Sequence, residues 1–189
     1  MKKYLIVLCF IILTANTIIG QISNTDTSYL KTYKNAFDEL CVLQHVEKEH
    51  SLKKAVFIVE NAYFNNELDS TFFFNPIRGL KYLCKAYMAN NKLLYSHKDS
   101  SDMKVLGAIY KVFTDTVKII LKDNKLGLHY PYVYDFNDIW GEQEWSNMFV
   151  DKLLSTNKGN CHSLPMLYKI IADEFGVKTY LALAPNHIY

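Results

Sequence analysis

Cysteine is scarce in this sequence, with four residues in 189: Cys9, Cys41, Cys84 and Cys161. That excludes a scaffold stapled by many disulfides. A strong charge of one sign is also missing. The formal net charge is +2 and no stretch forms a basic patch, so nucleic acid is not an expected partner. The apolar run Tyr4 to Leu13 falls short of the roughly 20 residues that a spanning helix needs, and the polar Thr14, Asn16 and Thr17 prevent its extension. Cys161, His162 and His187 find no fourth ligand at a recognised spacing, so neither metal nor cofactor is expected.

The N-terminus carries a targeting pattern. Lys2 and Lys3 form a charged start, Tyr4 to Leu13 an apolar centre, and Ile18-x-Gly20 a small-residue cleavage site before Gln21. Residues 1–20 therefore read as a secretory signal peptide rather than an anchor, and the protein as exported, periplasmic or secreted, without a stable membrane span after cleavage. Cys9 lies within the apolar centre, not after it as a lipoprotein cysteine would. The 169 residues that remain balance 19 basic against 19 acidic side chains and suffice for one domain with a proper core. Three cysteines are then left. A Cys41–Cys84 disulfide would free Cys161; both also fit as core residues on helices.

After a polar leader at 21–28, residues 29–127 read as a helical region. Leu30, Tyr33, Phe37, Leu40 and Cys41 have helical spacing within 29–50. Ser51 caps a second helix, Leu52 to Tyr63, with Ala55, Val56, Val59 and Tyr63 inward. The Asn65-Asn66 step breaks it. Pro76 starts a third helix to about Asn90, through Ile77, Leu80, Leu83, Cys84 and Tyr87. A fourth, Met103 to Leu121, repeats Val105, Ile109, Val112, Phe113, Val117, Ile120 and Leu121, and Lys122 to Leu126 closes it. The Glu60-Asn61-Ala62-Tyr63 segment is a minor candidate for facing a site. Leu128 to Trp145 is an irregular aromatic segment, including Tyr130, Tyr132, Tyr134, Phe136, Trp140 and Trp145. It reads either as one side of a groove or as a loop pinned by its rings.

The chemistry concentrates in Gly159-Asn160-Cys161-His162-Ser163-Leu164-Pro165. Cys161, Leu164, Tyr168, Ile171, Ala172 and Phe175 share one helix face. Pro165 is tolerable only in the first turn, and Gly176 suits the C-terminal cap. So Cys161 stands at a helix start, where the positive end of the dipole favours a thiolate and the helix N–H groups are candidates to hold an oxyanion. A strand is expected over Val177 to Ala184, with a turn at Pro185-Asn186. His187, 26 residues after Cys161, begins the partner strand. A thiolate site and a base are the two parts a cysteine nucleophile needs. A lone cysteine on an apolar helix face is also a common buried hydrophobe.

Gly159-Asn160-Cys161, then Leu167-Tyr168, Ala172-x-x-x-Gly176 and Ala184-Pro185-Asn186-His187 resemble the core of the transglutaminase-like superfamily, in its bacterial branch with short Cys-to-His spacing. The resemblance covers about Phe149 to Tyr189. It implies Cys161 as nucleophile, His187 as its base and an Asp or Asn that orients the His. It also implies a mostly helical α+β fold in which N-terminal helices precede a partial core at 128–189, the Cys helix packing on a short, incomplete antiparallel sheet. An aromatic residue forms an oxyanion-side wall in some relatives, for which Trp145 and Tyr134 are candidates. The third triad member does not come after His187 before Tyr189. The sequence is then a truncated form, or the orienter comes from upstream, where Asp135, Asn137 and Asp138 are the candidates. Without an orienter a wrong imidazole tautomer is costly, so inactivity is allowed by this reading.

Three functions are compatible with these features. One is an exported cysteine hydrolase or acyl-transferase acting on peptide or amide bonds of a protein or cell-wall peptide. Another is a non-catalytic peptide- or protein-binding module on the same fold. The third is a structural helical domain.

Overall fold

The computed structural model describes residues 28–45, 51–92, 94–120, 126–185 and 187–189. The segment read above as a signal peptide, most of the expected leader, and Asn186 lie outside these residues. The fold is mostly helical with small sheets. Helix α1 covers 28–45, α2 Leu52–Tyr63, α3 Ser70–Asn90, α4 Ser100–Thr114, α5 Val150–Thr156 and α6 Ser163–Glu174. The strands are β1 Val117–Ile120, β2 Leu126–His129, β3 Val133–Tyr134, β4 Lys158–Gly159, β5 Leu183–Ala184 and β6 His187–Ile188. They form three separate pairs, β1–β2 and β5–β6 antiparallel and β3–β4 parallel. No helix among the described residues is long and apolar enough to cross a membrane.

Local chemistry explains most boundaries. The Ser51 hydroxyl accepts the Lys54 N–H and starts α2; Asn65 and Asn66, both at positive φ, end it. Asn tolerates that left-handed region better than most residues. Helix α3 corrects the expected start at Pro76. The Asp69 carboxylate accepts the Thr71 N–H at 2.8 Å and begins the helix at Ser70, leaving Pro76 inside it. The cap outweighs the one backbone bond that a proline forfeits.

Helix α4 is shorter than its periodicity suggests. Asp115 turns to extended backbone, and Val117-Lys118-Ile119-Ile120 pairs with β2 instead. Such β-branched residues pack well on a pleated surface, and a three-to-four spacing does not distinguish the two outcomes. The strand expected over Val177 to Ala184 contracts to Leu183–Ala184. A strand exists only where a partner lies opposite it, and the described partner is 187–189. Two bonds between Ala182 and Tyr189, at 2.7 and 3.0 Å, prolong the pairing.

The core draws on four helices. Phe73, Ile77, Leu80 and Cys84 of α3 meet Ala108, Ile109, Val112 and Phe113 of α4, Val150 and Leu153 of α5, and Leu167, Ile170, Ile171 and Ala172 of α6. Each fully buried Leu or Ile contributes about 2 kcal/mol of transfer free energy. The stripe on α1 is not covered: Leu30 is 69% and Phe37 65% exposed. On α2 the inward face is also rotated from the expected one, because Val59 is exposed whereas Glu60 and Ala62 are buried. Cys41, Cys84 and Cys161 are all free, which settles the disulfide against Cys41–Cys84. Cys84 serves the core, and burial pushes its thiol up to about 12.

Candidate active site

Helix α6 has two apolar faces. Leu167, Ile170 and Ile171 point into the core. The adjoining strip, Cys161, Leu164 and Tyr168, lines an open cavity of about 670 Å³. Cys161, in the turn just before α6, therefore sits on the cavity side, half-buried rather than sealed in the core. His187 lines the same cavity from the β5–β6 hairpin. The two residues singled out from the sequence are thus brought to one hollow, although no hydrogen bond joins them among the described residues.

The turn before α6 is built around Asn160, which is 2% exposed. Its side-chain oxygen accepts the N–H groups of His162 at 3.0 Å and Ser163 at 3.2 Å. Its side-chain nitrogen donates to the Asn147 carbonyl at 3.1 Å. The Ser163 hydroxyl accepts the Asn160 N–H at 3.1 Å. This reciprocal capping satisfies the first helix donors. It corrects one expectation, because the His162 and Ser163 N–H groups are already engaged and do not face an oxyanion. The Leu164 N–H goes to the Asn160 carbonyl, and Pro165 has none. The N–H of Cys161 itself faces the Tyr134 hydroxyl rather than the helix.

Gly159 makes this turn possible. A Cβ there would stand 2.7 Å from Ser163 Oγ and 2.8 Å from Leu153 Cδ1, both belonging to fully buried side chains. As β4, Lys158–Gly159 pairs with Val133–Tyr134, matching Tyr134 to Gly159. That register delivers Tyr134 to Cys161. The Tyr134 phenol is held above its ordinary pKa by burial and then by a hydrogen bond to the Cys161 thiol; the Cys161 N–H acts in the opposite direction. Tyr134 thus stands protonated beside sulfur and N–H at neutral pH.

The other candidates lie elsewhere. His162 Nδ1 donates to the Met148 carbonyl at 2.9 Å, which fixes its tautomer, and the ring does not line the cavity. Asp135 pairs with Lys152 and accepts the Asn137 N–H. Asp138 accepts from the backbone of Gln143 and Glu144 and from the Asn147 side chain. Neither carboxylate nor Asn137 lines the cavity, and among the described residues no hydrogen bond joins any of the three to His187. Trp145 does not line the cavity either; it packs on Gly141.

Glu60 does not face the cavity. It is 4% exposed and accepts the N–H groups of Val150 at 2.7 Å and Asp151 at 2.9 Å. It caps α5, whose own N-cap position is Phe149 without a capping side chain. Burial, opposed by those two hydrogen bonds, pushes its carboxyl up to about 7. A carboxylate on an otherwise apolar helix face was the available signal.

Sequence reasoning missed Thr179. Its hydroxyl oxygen is buried, has no hydrogen-bond partner among the described residues, and belongs to a residue that lines the cavity. A threonine at an inward position of the alternation Val177, Thr179, Leu181 was the signal. Among the described residues no group of three or more His, Cys, Asp or Glu is placed to hold a metal ion. Compared with family models, with curated proteins and with solved structures, the chain has no significant match.

Proposed function

We propose that the cavity is the site of a transglutaminase-like cysteine nucleophile that hydrolyses or transfers the acyl group of a peptide or amide. The observation that carries the reading is the shared cavity: the Cys161 thiol at the start of α6, the Tyr134 hydroxyl beside it and the His187 imidazole on another wall. His187 takes the thiol proton, and the sulfur attacks the carbonyl carbon. The Cys161 N–H and Tyr134 O–H donate to the oxyanion that forms. Collapse breaks the carbon–nitrogen bond, the leaving amine takes the proton back from His187, and a thioester remains on Cys161. Water or a second amine releases the acyl group and restores the thiol. Export, read from residues 1–20, would place the substrate outside the cytoplasm.

Alkylation by iodoacetamide tests this directly. Near pH 7, Cys161, located by peptide mapping to separate it from half-exposed Cys41, is expected to react faster than a free model thiol. His187→Ala is expected to slow it by about tenfold. Equal rates for Cys161 and the free thiol would remove the nucleophile. A second reading, a binding module, draws on the missing hydrogen bond between Cys161 and His187. It is favoured if alkylation is slow while peptides still bind.

A further inference from the structure

We propose that a second hollow, between the end of α3 and one face of α4, binds a small phosphate monoester, a dianion with an apolar body. Neither Cys161 nor His187 lines it, so the proposal does not depend on the catalytic reading. Its volume is about 240 Å³. That is below the range of drug-sized pockets, so it suits a small molecule rather than a peptide.

The charges are one-sided. Lys92, Lys104 and Lys111 line the hollow, and among the described residues no aspartate or glutamate does. Lys111 is already paired, its ammonium donating to the Asp115 carboxylate at 2.9 Å. Among the described residues Lys92 and Lys104 have no carboxylate partner, and Lys104 is half-buried. Two unpaired cations match the two negative charges that a phosphate monoester approaches at neutral pH. A lone carboxylate would leave one of them unmatched. Lys92 follows α3, where the side chains of Asn90 and Asn91, not the ammonium, donate to the Ala86 and Tyr87 carbonyls. The negative end of the α3 dipole opposes an anion here, so the lysines must carry the attraction.

The floor of the hollow is a second, independent observation. Gly107 stands on α4 between Lys104 and Lys111 and lines the hollow. A glycine inside a helix costs stability relative to alanine. The backbone does not require it, because its φ is not positive. Packing does not require it either, because an added Cβ would meet no atom within 4 Å. The space above Gly107 is thus open to a ligand, and a methyl group would take part of it. The walls offer contacts to an apolar body through Met88 and the rings of Tyr87 and Tyr110. Both phenols stand beside Lys111. Its ammonium is held above its ordinary pKa first by the Asp115 hydrogen bond, and the two phenols add to the effect.

Calorimetric titration of the full chain at low ionic strength tests the proposal, with phenyl phosphate, inorganic phosphate and phenol as probes. Phenyl phosphate is expected to bind about tenfold more tightly than inorganic phosphate, which lacks the ring, or phenol, which lacks the charge. Lys104→Met keeps the side-chain length and removes the ammonium; it is expected to weaken phenyl phosphate about tenfold. Gly107→Ala is expected to weaken it about fivefold while raising the melting temperature by about 2–4 °C, since alanine is the better helix residue. Neither residue lines the Cys161 cavity, so these losses report on this hollow alone. No binding of phenyl phosphate, equally tight binding of inorganic phosphate or phenol, unchanged affinity in either variant, or a lower melting temperature in Gly107→Ala would each overturn the proposal. The alkylation rate of Cys161 bears only on the catalytic reading, so the two fail separately.

Discussion

On the Cys161 side of the cavity, the N–H groups of His162, Ser163 and Leu164 all have protein acceptors, and Gly159 presses against two buried side chains. On the His187 side, a two-residue ladder and two bonds between Ala182 and Tyr189 hold the imidazole. There Leu183 is 79% and Tyr180 83% exposed. One wall is continuous with the core, and the other is a short hairpin lying against it. An isolated two-stranded hairpin is marginal in water, so opening is expected to concentrate at the His187 wall. On the proposed reading of the cavity, a thiol fixed in advance and an imidazole on a softer element make an arrangement in which substrate binding completes the site.

The largest effect is expected where the firm wall is tightest. Gly159→Ala adds one methyl group into contacts of 2.7 and 2.8 Å, and neither Ser163 nor Leu153 has open space to move into. Overpacking of this kind costs about 2–3 kcal/mol, or a drop of roughly 5–10 °C in melting temperature for a chain of this size. Thermal melting with retained helical circular dichroism would check it. A change under about 1 °C would mean that the turn before α6 is no more rigid than the hairpin.

A smaller effect comes from the second support of the firm wall. Glu60 anchors α5, and α5 leads through β4 into the Cys161 turn. Its folded pKa, about 7, lies above the ordinary 4.5. The native state therefore holds this proton more tightly than the unfolded chain. The stabilisation is complete below about pH 4.5 and is lost as pH rises through about 7. The neighbouring Asp151, itself raised by burial, contributes in the same direction at lower pH. Between pH 5 and 8, stability is expected to fall by about 2 kcal/mol on account of Glu60. Glu60→Gln should flatten that slope in urea unfolding. Parallel slopes for the two proteins would place the proton elsewhere.

The firm wall was also the more legible one. Asn160 to Pro165 announced a helix start through a cap residue, a first-turn proline and a three-to-four apolar repeat, and α6 begins there. Ser51 did the same for α2. Those signals are local, and so are the forces that satisfy them. The hairpin depends on partners distant in sequence, which is why Val177 to Ala184 looked like a full strand and proved to be a short one. The same limit hid β1, whose Val117 and Ile120 fit a helical repeat until β2 came alongside. Which partner Glu60, Asp135 and Tyr134 would meet is a three-dimensional matter. No spacing rule joins Glu60 to Val150 or matches Tyr134 to Gly159.

The smallest expected effect on stability is the one that isolates the soft wall. Ala182→Pro removes the N–H that bonds the Tyr189 carbonyl at 2.7 Å while leaving the four-helix core untouched. An exposed edge tolerates proline better than a central strand does, and one solvent-accessible hydrogen bond is worth about 1 kcal/mol or less. The melting temperature should therefore move by only roughly 2–4 °C. If the imidazole activates the sulfur, the alkylation rate of Cys161 should nevertheless fall towards that of His187→Ala. Loss of reactivity with little loss of stability is the signature of a base carried on a separately opening element. A melting temperature that falls as far as in Gly159→Ala would instead join the hairpin to the core. An unchanged alkylation rate would mean that the pairing of Ala182 with Tyr189 does not position His187.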